Sequence, residues 1–293
     1  MIEGSRPAVP RIMGVVNVTP DSFSDGGLHA STDSAVAHGV DLLAQGADII
    51  DIGGESTRPG ATRPLVAEEL DRVVPVIREL ADAGAVVSVD TMRSEVAAAA
   101  LEAGARVVND VSGGLADSRM LEVVADSDAH YVAMHWRGHS DRMADLTDYP
   151  DGVVETVRRE LGVRRDACEA AGIVRDRLVL DPGLGFAKVA AHNWELLACL
   201  DVLDGLGCPL LVGASRKSFL GALLAEDGEP RPVGEREHAH VALVALLAQR
   251  GVAVLRVHDV RATADALRVV AAMSTRPQGA ASWLSWRTQG WQP

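Results

Sequence analysis

Eight short runs dense in Val, Ile and Leu recur along the chain, at residues 12–18, 48–52, 86–90, 106–110, 130–134, 178–181, 209–213 and 253–257. Their apolar residues are continuous rather than alternating, the pattern of strands buried on both faces. Between them lie Ala-rich segments with helical spacing, at 34–45, 67–83, 94–103, 117–127, 151–171, 192–204, 236–250 and 262–273. Strands alternating with helices in this way predict a parallel sheet covered by helices. Eight units over residues 11–273 match the roughly 250 residues of an α/β fold closed into a (β/α)8 TIM barrel. An open doubly wound sheet competes with it, but no GxGxxG follows the first run and no composition shift divides the chain. The expected plan is an N-terminal extension at 1–10, one barrel domain at 11–273, and a tail at 274–293 holding Trp283, Trp286 and Trp291.

Charge and composition exclude several classes of function. Across 293 residues, 28 Lys and Arg stand against 41 Asp and Glu, a net charge of −13. That field repels phosphate backbones, so nucleic acid is not an expected partner. Aromatics are 3%, too few for a base-stacking platform. No apolar run reaches the roughly 20 residues that span a bilayer. The first residues lack an apolar signal core, and Cys168, Cys199 and Cys208 form no CxxC pair. These features suit a reducing, cytoplasmic setting.

Polar residues gather where the strands end. Asn17, Asp51, Asp90, Asn109, Asp110, His135, Asp181, Ser215 and His258 lie at or just past the eight runs. In a barrel those ends share one face, the face that carries active sites. Any single one of them is as readily a helix cap or turn residue. A whole ring crowding one mouth is better explained by binding. The segments 19–31, 53–64 and 225–237 are long and polar, as lids and binding loops are. The longest loop, 136–150, is mostly charged and reads as a solvated surface loop.

The ring sorts into two chemistries. Asp90, Asn109 and Asp181 come from three strands. A carboxylate accepts two parallel hydrogen bonds from an N–H/NH2 edge, and an amide both donates and accepts. Together they suit a flat, nitrogen-rich heterocycle, and they make a poor transition-metal set. The cations lie elsewhere. SRKS (215–218) places Arg216 and Lys217 after the seventh run, and RVHD (256–259) places Arg256 and His258 at the end of the eighth. Residues two apart on a strand face one side, and the loops after strands seven and eight commonly bind phosphate in barrels. Arg256, His258 and Asn17 thus form a candidate diphosphate site, with Mg2+ partly held by Asn17. Taken singly, Arg216 could pair with a helix acid and His258 could be a satisfied strand-end histidine.

The segments MGVVNVTPDSFSDGG (13–27) and GADIIDIGGESTRPG (46–60) closely resemble the two signature segments of the dihydropteroate synthases. VSVDT (87–91), VVNDVSGG (107–114), LVLDPGLGFAK (178–188), VGASRKSFLG (212–221) and RVHDV (256–260) resemble that family's remaining motifs, in its order, and the wording is most like its actinobacterial members. The resemblance covers about residues 11–273. It implies a barrel transferase of folate biosynthesis that joins 6-hydroxymethyl-7,8-dihydropterin diphosphate to p-aminobenzoate and releases diphosphate. It also implies Mg2+, a cytoplasmic homodimer and sensitivity to sulfonamides. Carried over by residue, Asp90, Asn109, Asp181 and Lys217 would bind the pterin. Asn17, Arg256 and His258 would hold the diphosphate, and Asp25 would assist Asn17 with the metal. Phe23, Thr57, Arg58, Pro59, Phe186 and Ser218 would shape the aminobenzoate pocket. Asp181, Lys217, Arg256 and His258 would carry the catalysis.

Two other readings share parts of this pattern. A pterin-dependent corrinoid methyltransferase would use the same heterocycle site but needs no diphosphate clamp, so SRKS and RVHD speak against it. A catalytically silent paralogue serving as a binding protein would keep the motifs without turnover.

Overall fold

A computed structural model describes residues 9–18, 27–55, 64–139 and 142–274. In chain order its elements are β1 (Arg11–Asn17), α1 (Gly27–Gln45), β2 (Ile49–Gly53), α2 (Val66–Asp82), β3 (Val87–Asp90), α3 (Ser94–Glu102), β4 (Val107–Asp110) and α4 (Met120–Ala125). There follow β5 (His130–Met134), α5 (Val153–Ala170), β6 (Leu178–Asp181), α6 (Ala190–Ala198), α7 (Asp201–Asp204), β7 (Leu211–Val212), α8 (Ser218–Leu223), α9 (Glu237–Gln249), β8 (Val254–Val257) and α10 (Val260–Ser274). The strands run β6-β5-β4-β3-β2-β1-β8-β7, every pair parallel. A bridge between Leu180 and Leu210, with Leu180 N donating to Pro209 O at 3.0 Å, joins the two ends of the sheet. The eight runs are the eight strands, and the fold is the expected TIM barrel.

Alternation along each strand sorts the residues into two layers. Met13, Ile49, Val107, Val132, Val179, Leu211 and Val254 point inward and, with Ala253 just before β8, form the apolar floor of the barrel. Their neighbours, such as Ile12, Ile50, Val108, Tyr131, Leu180 and Leu255, point outward into the helical layer. Fully burying each such side chain stabilises the fold by about 1.5–3 kcal/mol. The same alternation puts Asn17, Asp51, Asp90, Asn109, Asp181 and Arg256 on the inner face, above that floor. Register places Gly53, Asp90 and Asn109 on one rung of neighbouring strands.

Three details differ from the sequence expectation. The segment expected as one helix at 192–204 breaks at Cys199 into α6 and α7. Within the seventh unit a further helix, α8, is only six residues long, too short to show a period. The loop after β5 is braced rather than merely solvated. Arg137 Nη1 donates to Leu146 O at 3.0 Å and Asp148 O at 2.7 Å, and its guanidinium lies 4.5 Å from the centre of the Tyr149 ring. Tyr149 is buried, and its hydroxyl donates to Ala187 O at 2.9 Å.

Asp110 shows how a polar strand end can serve the fold alone. It faces outward and is fully buried. Its carboxylate accepts from Ser112 N, Ser112 Oγ, Gly114 N and the Tyr131 hydroxyl, each at 2.7 Å. Gly113 and Gly114 take φ of +59° and +83°, the left-handed backbone that lets the turn wrap the carboxylate. Burial pushes the Asp110 carboxyl above the ordinary range, and these bonds pull against that. Tyr131→Phe removes one of the four. Unfolding free energy in urea should drop by roughly 1.5–3 kcal/mol, as for a hydrogen bond to a charged group. An unchanged midpoint would show that the Tyr131 bond contributes nothing.

Candidate active site at the barrel mouth

One guanidinium ties the inner face together. Arg256 Nε donates to Asp51 Oδ2 at 2.6 Å, and its Nη2 donates to Asp90 Oδ2 at 2.6 Å. Asn109 Nδ2 donates to the same Asp51 oxygen at 3.0 Å. Asp51 is completely buried, and among the described residues its Oδ1 has no hydrogen-bond partner. Burial raises the Asp90 carboxyl, Arg256 pulls it down, and Asp51 pushes it up again. For Arg256 the carboxylates outweigh burial and hold the guanidinium charged. A buried pair of this kind gives little net stability, but losing one partner is costly. Removing Arg256 would leave two acids uncompensated, so its loss would affect the fold as well as any ligand.

A second pair lies across the mouth. Asp181 is 7% exposed, and its Oδ1 accepts from Gly183 N at 2.7 Å. Burial raises its carboxyl, while Lys217 lowers it. Lys217 donates to Leu184 O and sits 4.8 Å from the centre of the Phe186 ring. Burial lowers the Lys217 ammonium to about 8, with Asp181 opposing. The turn before it is held open by Arg236. Arg216 has φ +62°, and its carbonyl accepts from Arg236 Nη1 at 2.9 Å. A Cβ on Gly221 would lie 2.6 Å from that guanidinium, so glycine there leaves it room. Phe186 packs against Met92, Val111 and Met134, an apolar wall beside the polar ring.

His258 is placed differently from Arg256. Its Nδ1 lies 3.0 Å from Ser215 Oγ, and its backbone N donates to the same oxygen at 3.3 Å. Burial and then Arg216 and Arg256 lower its ring to about 3, so at neutral pH it is an uncharged imidazole. Asn17 is exposed at the end of β1. A Cβ on Gly53 would sit 3.7 Å from Asn17 Oδ1 and 3.8 Å from Asp90 Oδ2, so that glycine keeps clear the gap between them. Ser218 is the exposed first residue of α8.

The structure therefore gathers Asp90, Asn109, Asp181, Lys217, Arg256 and Phe186, with His258 and Asn17 at the rim. Phe23, Asp25, Thr57, Arg58 and Pro59, and most of the two loops that carry them, lie outside the described residues. Sequence reasoning named Asp51 and His135 as strand-end residues without giving them a role. A carboxylate inside a strand buried on both faces must have a cation, and that was the available signal for Asp51. Lys188 and Arg236 carried no signal of their own, because most of their acceptors are backbone carbonyls, which any residue type supplies.

Known proteins resemble this chain over most of its length. A family model described as pterin binding enzyme matches residues 13–258. A dihydropteroate synthase of Mycobacterium leprae is 53% identical over 264 residues, covering 89% of this chain and 93% of its own length. A solved Xanthomonas albilineans dihydropteroate synthase with 4-aminobenzoic acid superposes with TM-score 0.84 at 49% identity, covering 92% of this chain and 94% of that one. A further structure from that organism, in complex with 7,8-dihydropteroate, gives TM-score 0.81 at 45% identity, covering 92% and 95%.

The depressed His258 ring makes a pH test possible. An unfolded histidine takes its proton near pH 6.5, whereas the folded ring stays neutral down to about 3. His258 therefore removes stability as pH falls through that window. An anion beside the ring favours the imidazolium and reverses the shift. In NMR titrations, inorganic diphosphate should move the His258 midpoint up by about one unit or more. A midpoint that ignores saturating diphosphate would remove His258 from the anion site.

Proposed function

The chain belongs to the pterin-binding enzyme family, and we infer that it is a dihydropteroate synthase, a transferase that joins 6-hydroxymethyl-7,8-dihydropterin diphosphate to p-aminobenzoate and releases diphosphate. The observation that carries this is the match over residues 13–258 together with the inner ring of Asp90, Asn109, Asp181, Lys217 and Arg256. Asp90, Asn109 and Asp181 would take the donor and acceptor edges of the pterin, whose guanidine-like N–H pairs suit carboxylates. Lys217 would contact the ring beside Asp181. Arg256 would face both the ring and the leaving group, since its bonds to Asp51 and Asp90 use two of its five N–H groups. His258 and Asn17 would hold the diphosphate at the rim. Phe186 and Ser218, with Phe23, Thr57, Arg58 and Pro59, would shape the aminobenzoate pocket, where sulfonamides would compete.

Charge decides the order of events. The bond between the pterin methylene carbon and the bridging oxygen breaks, and its electron pair leaves with diphosphate. Arg256, and His258 once the anion raises its pKa, stabilise that developing charge. The methylene carbon left behind is a cation conjugated with the pterin, and Asp181 and Asp90 offset its charge. The aniline nitrogen supplies the electron pair for the new C–N bond and then loses one proton. Among the described residues no cluster of three His, Cys, Asp or Glu side chains could hold a metal. Asn17, through its amide oxygen, and Asp25 would be the protein ligands of Mg2+, an ion that favours few protein oxygens together with phosphate. Mg2+ bound there would offset diphosphate charge.

Small molecules are thus the partners proposed, with a second copy of the chain as a homodimer and a cytoplasmic setting. Among the described residues no helix is long and apolar enough to cross a membrane. The assay that tests the reading is dihydropteroate formation from the two substrates with Mg2+. Turnover separates a synthase from a silent paralogue, and its absence would overturn the reading. Asp181→Asn should weaken a pterin analogue by roughly 1.5–3 kcal/mol in calorimetry, the value of a hydrogen bond to a charged group. His258→Ala should cost roughly 2–4 kcal/mol in kcat/KM with the fold intact, as removal of one transition-state donor does. Unaltered constants in either variant would strip that residue of its role.

A further inference from the structure

The turn after β6 is held from below by a lysine that the mechanism does not use. Lys188 is 8% exposed. Its Nζ lies 2.9 Å from His135 Nδ1, and donates to Gly183 O at 3.0 Å and to Phe186 O at 3.1 Å. An ammonium has three N–H groups, and here three acceptors surround it. That count requires His135 Nδ1 to be bare, so its proton sits on Nε2, 2.8 Å from Glu160 Oε2 on α5. Glu160 thereby fixes the tautomer that lets His135 accept from Lys188. Burial and Lys188 lower the His135 ring to about 4, which keeps it neutral as this chain of bonds demands. Burial lowers the Lys188 ammonium to about 7, with Asp181 opposing, and the three acceptors around it favour the charged form; Arg137 lies 3.7 Å from Glu160.

The turn has reason to need such a clamp. Ala187 takes φ +48°, a left-handed conformation uncommon for a residue with a Cβ. Backbone of this kind persists only where its surroundings over-determine it. Gly183 approaches so closely that a Cβ there would lie 2.4 Å from His135 O. The neighbouring bonds come from Tyr149 to Ala187 O and from Gly185 N to Asn193 Oδ1 at 2.6 Å. Of these only Lys188 reaches the carbonyls of both Gly183, whose N–H orients Asp181, and Phe186, whose ring stands on the apolar wall and beside Lys217.

We propose that Lys188 is a positioning residue for the reaction, its ammonium seated on His135, Gly183 O and Phe186 O so that the Phe186 ring is set where aminobenzoate binds. This rests on the synthase reading given above. The test uses Lys188→Met and Lys188→Gln, with Tyr131→Phe as a control that removes a buried bond away from this turn. Both Lys188 variants should raise KM for aminobenzoate about tenfold, the low end of the effect of one lost bond to a charged group, while KM for the pterin substrate changes less. Hydrogen exchange of the Gly185 and Phe186 amides should quicken in both, and stay unchanged in Tyr131→Phe. An aminobenzoate KM within about twofold of wild type would overturn the proposal, being smaller than one such bond. So would an equal rise in Tyr131→Phe, or failure of both Lys188 variants to fold. Product formation by the wild type is scored separately. Should it be absent, the synthase reading falls, and calorimetric binding of 4-aminobenzoate to the variants still decides the role of Lys188.

Discussion

Inside the barrel three carboxylates, Asp51, Asp90 and Asp181, share a small volume with three cations, Arg256, Lys217 and Lys188. Everything at the mouth depends on that balance. An unpaired charge at this depth would cost several kcal/mol, and the acids cannot move because their strands are fixed by register. The cations must therefore come to them. Arg256 does so from β8, bonding to residues on β2 and β3 across the barrel interior. Lys217 and Lys188 do so from loops, and each bonds a backbone carbonyl of the turn after β6 on the way.

This balance suits the site to a polar, planar ligand. The rigid floor of Met13, Ile49, Val132 and Val179 closes the barrel from below. Above it, acceptors and donors stand at fixed positions in a site of low dielectric, where each interaction is stronger than in water. Preorganised charge of this kind does not have to rearrange as the leaving group departs. The apolar wall of Met92, Val111, Met134 and Phe186 sits beside the polar ring, so a flat ring system meets polar groups at its edge and apolar ones alongside.

The loops that complete the mouth are held by a few polar anchors. Arg93 donates to Pro64 O at 2.6 Å, and lies 2.9 Å from Glu69 and 3.9 Å from Glu55, tying the flanks of the second loop to the end of β3. Arg236 holds the turn before Lys217. Arg137 and Tyr149 brace the loop after β5 against the turn after β6. Loops on a rigid scaffold commonly carry function, and here buried side chains from neighbouring units fix where they start and end.

The sequence by itself determined the eight strands, their parallel arrangement and the face on which the polar residues gather. Those follow from local periodicity, which a buried strand and an amphipathic helix impose on their own residues. It also marked Asp90, Asn109 and Asp181 as one set and Arg256, His258 and Asn17 as another, because strand ends in a barrel converge whatever their separation along the chain; that Arg256 joins the first set through Asp90 is seen only in the structure. What it did not determine was who pairs with whom. Arg256 finds Asp51 across 205 positions of sequence, and Lys188 finds His135 across 53. Nor did it reveal that His258 is neutral, since that depends on burial and on the guanidinium groups around it. Pairing and protonation belong to distances between segments, and only the closed barrel brings those distances into being.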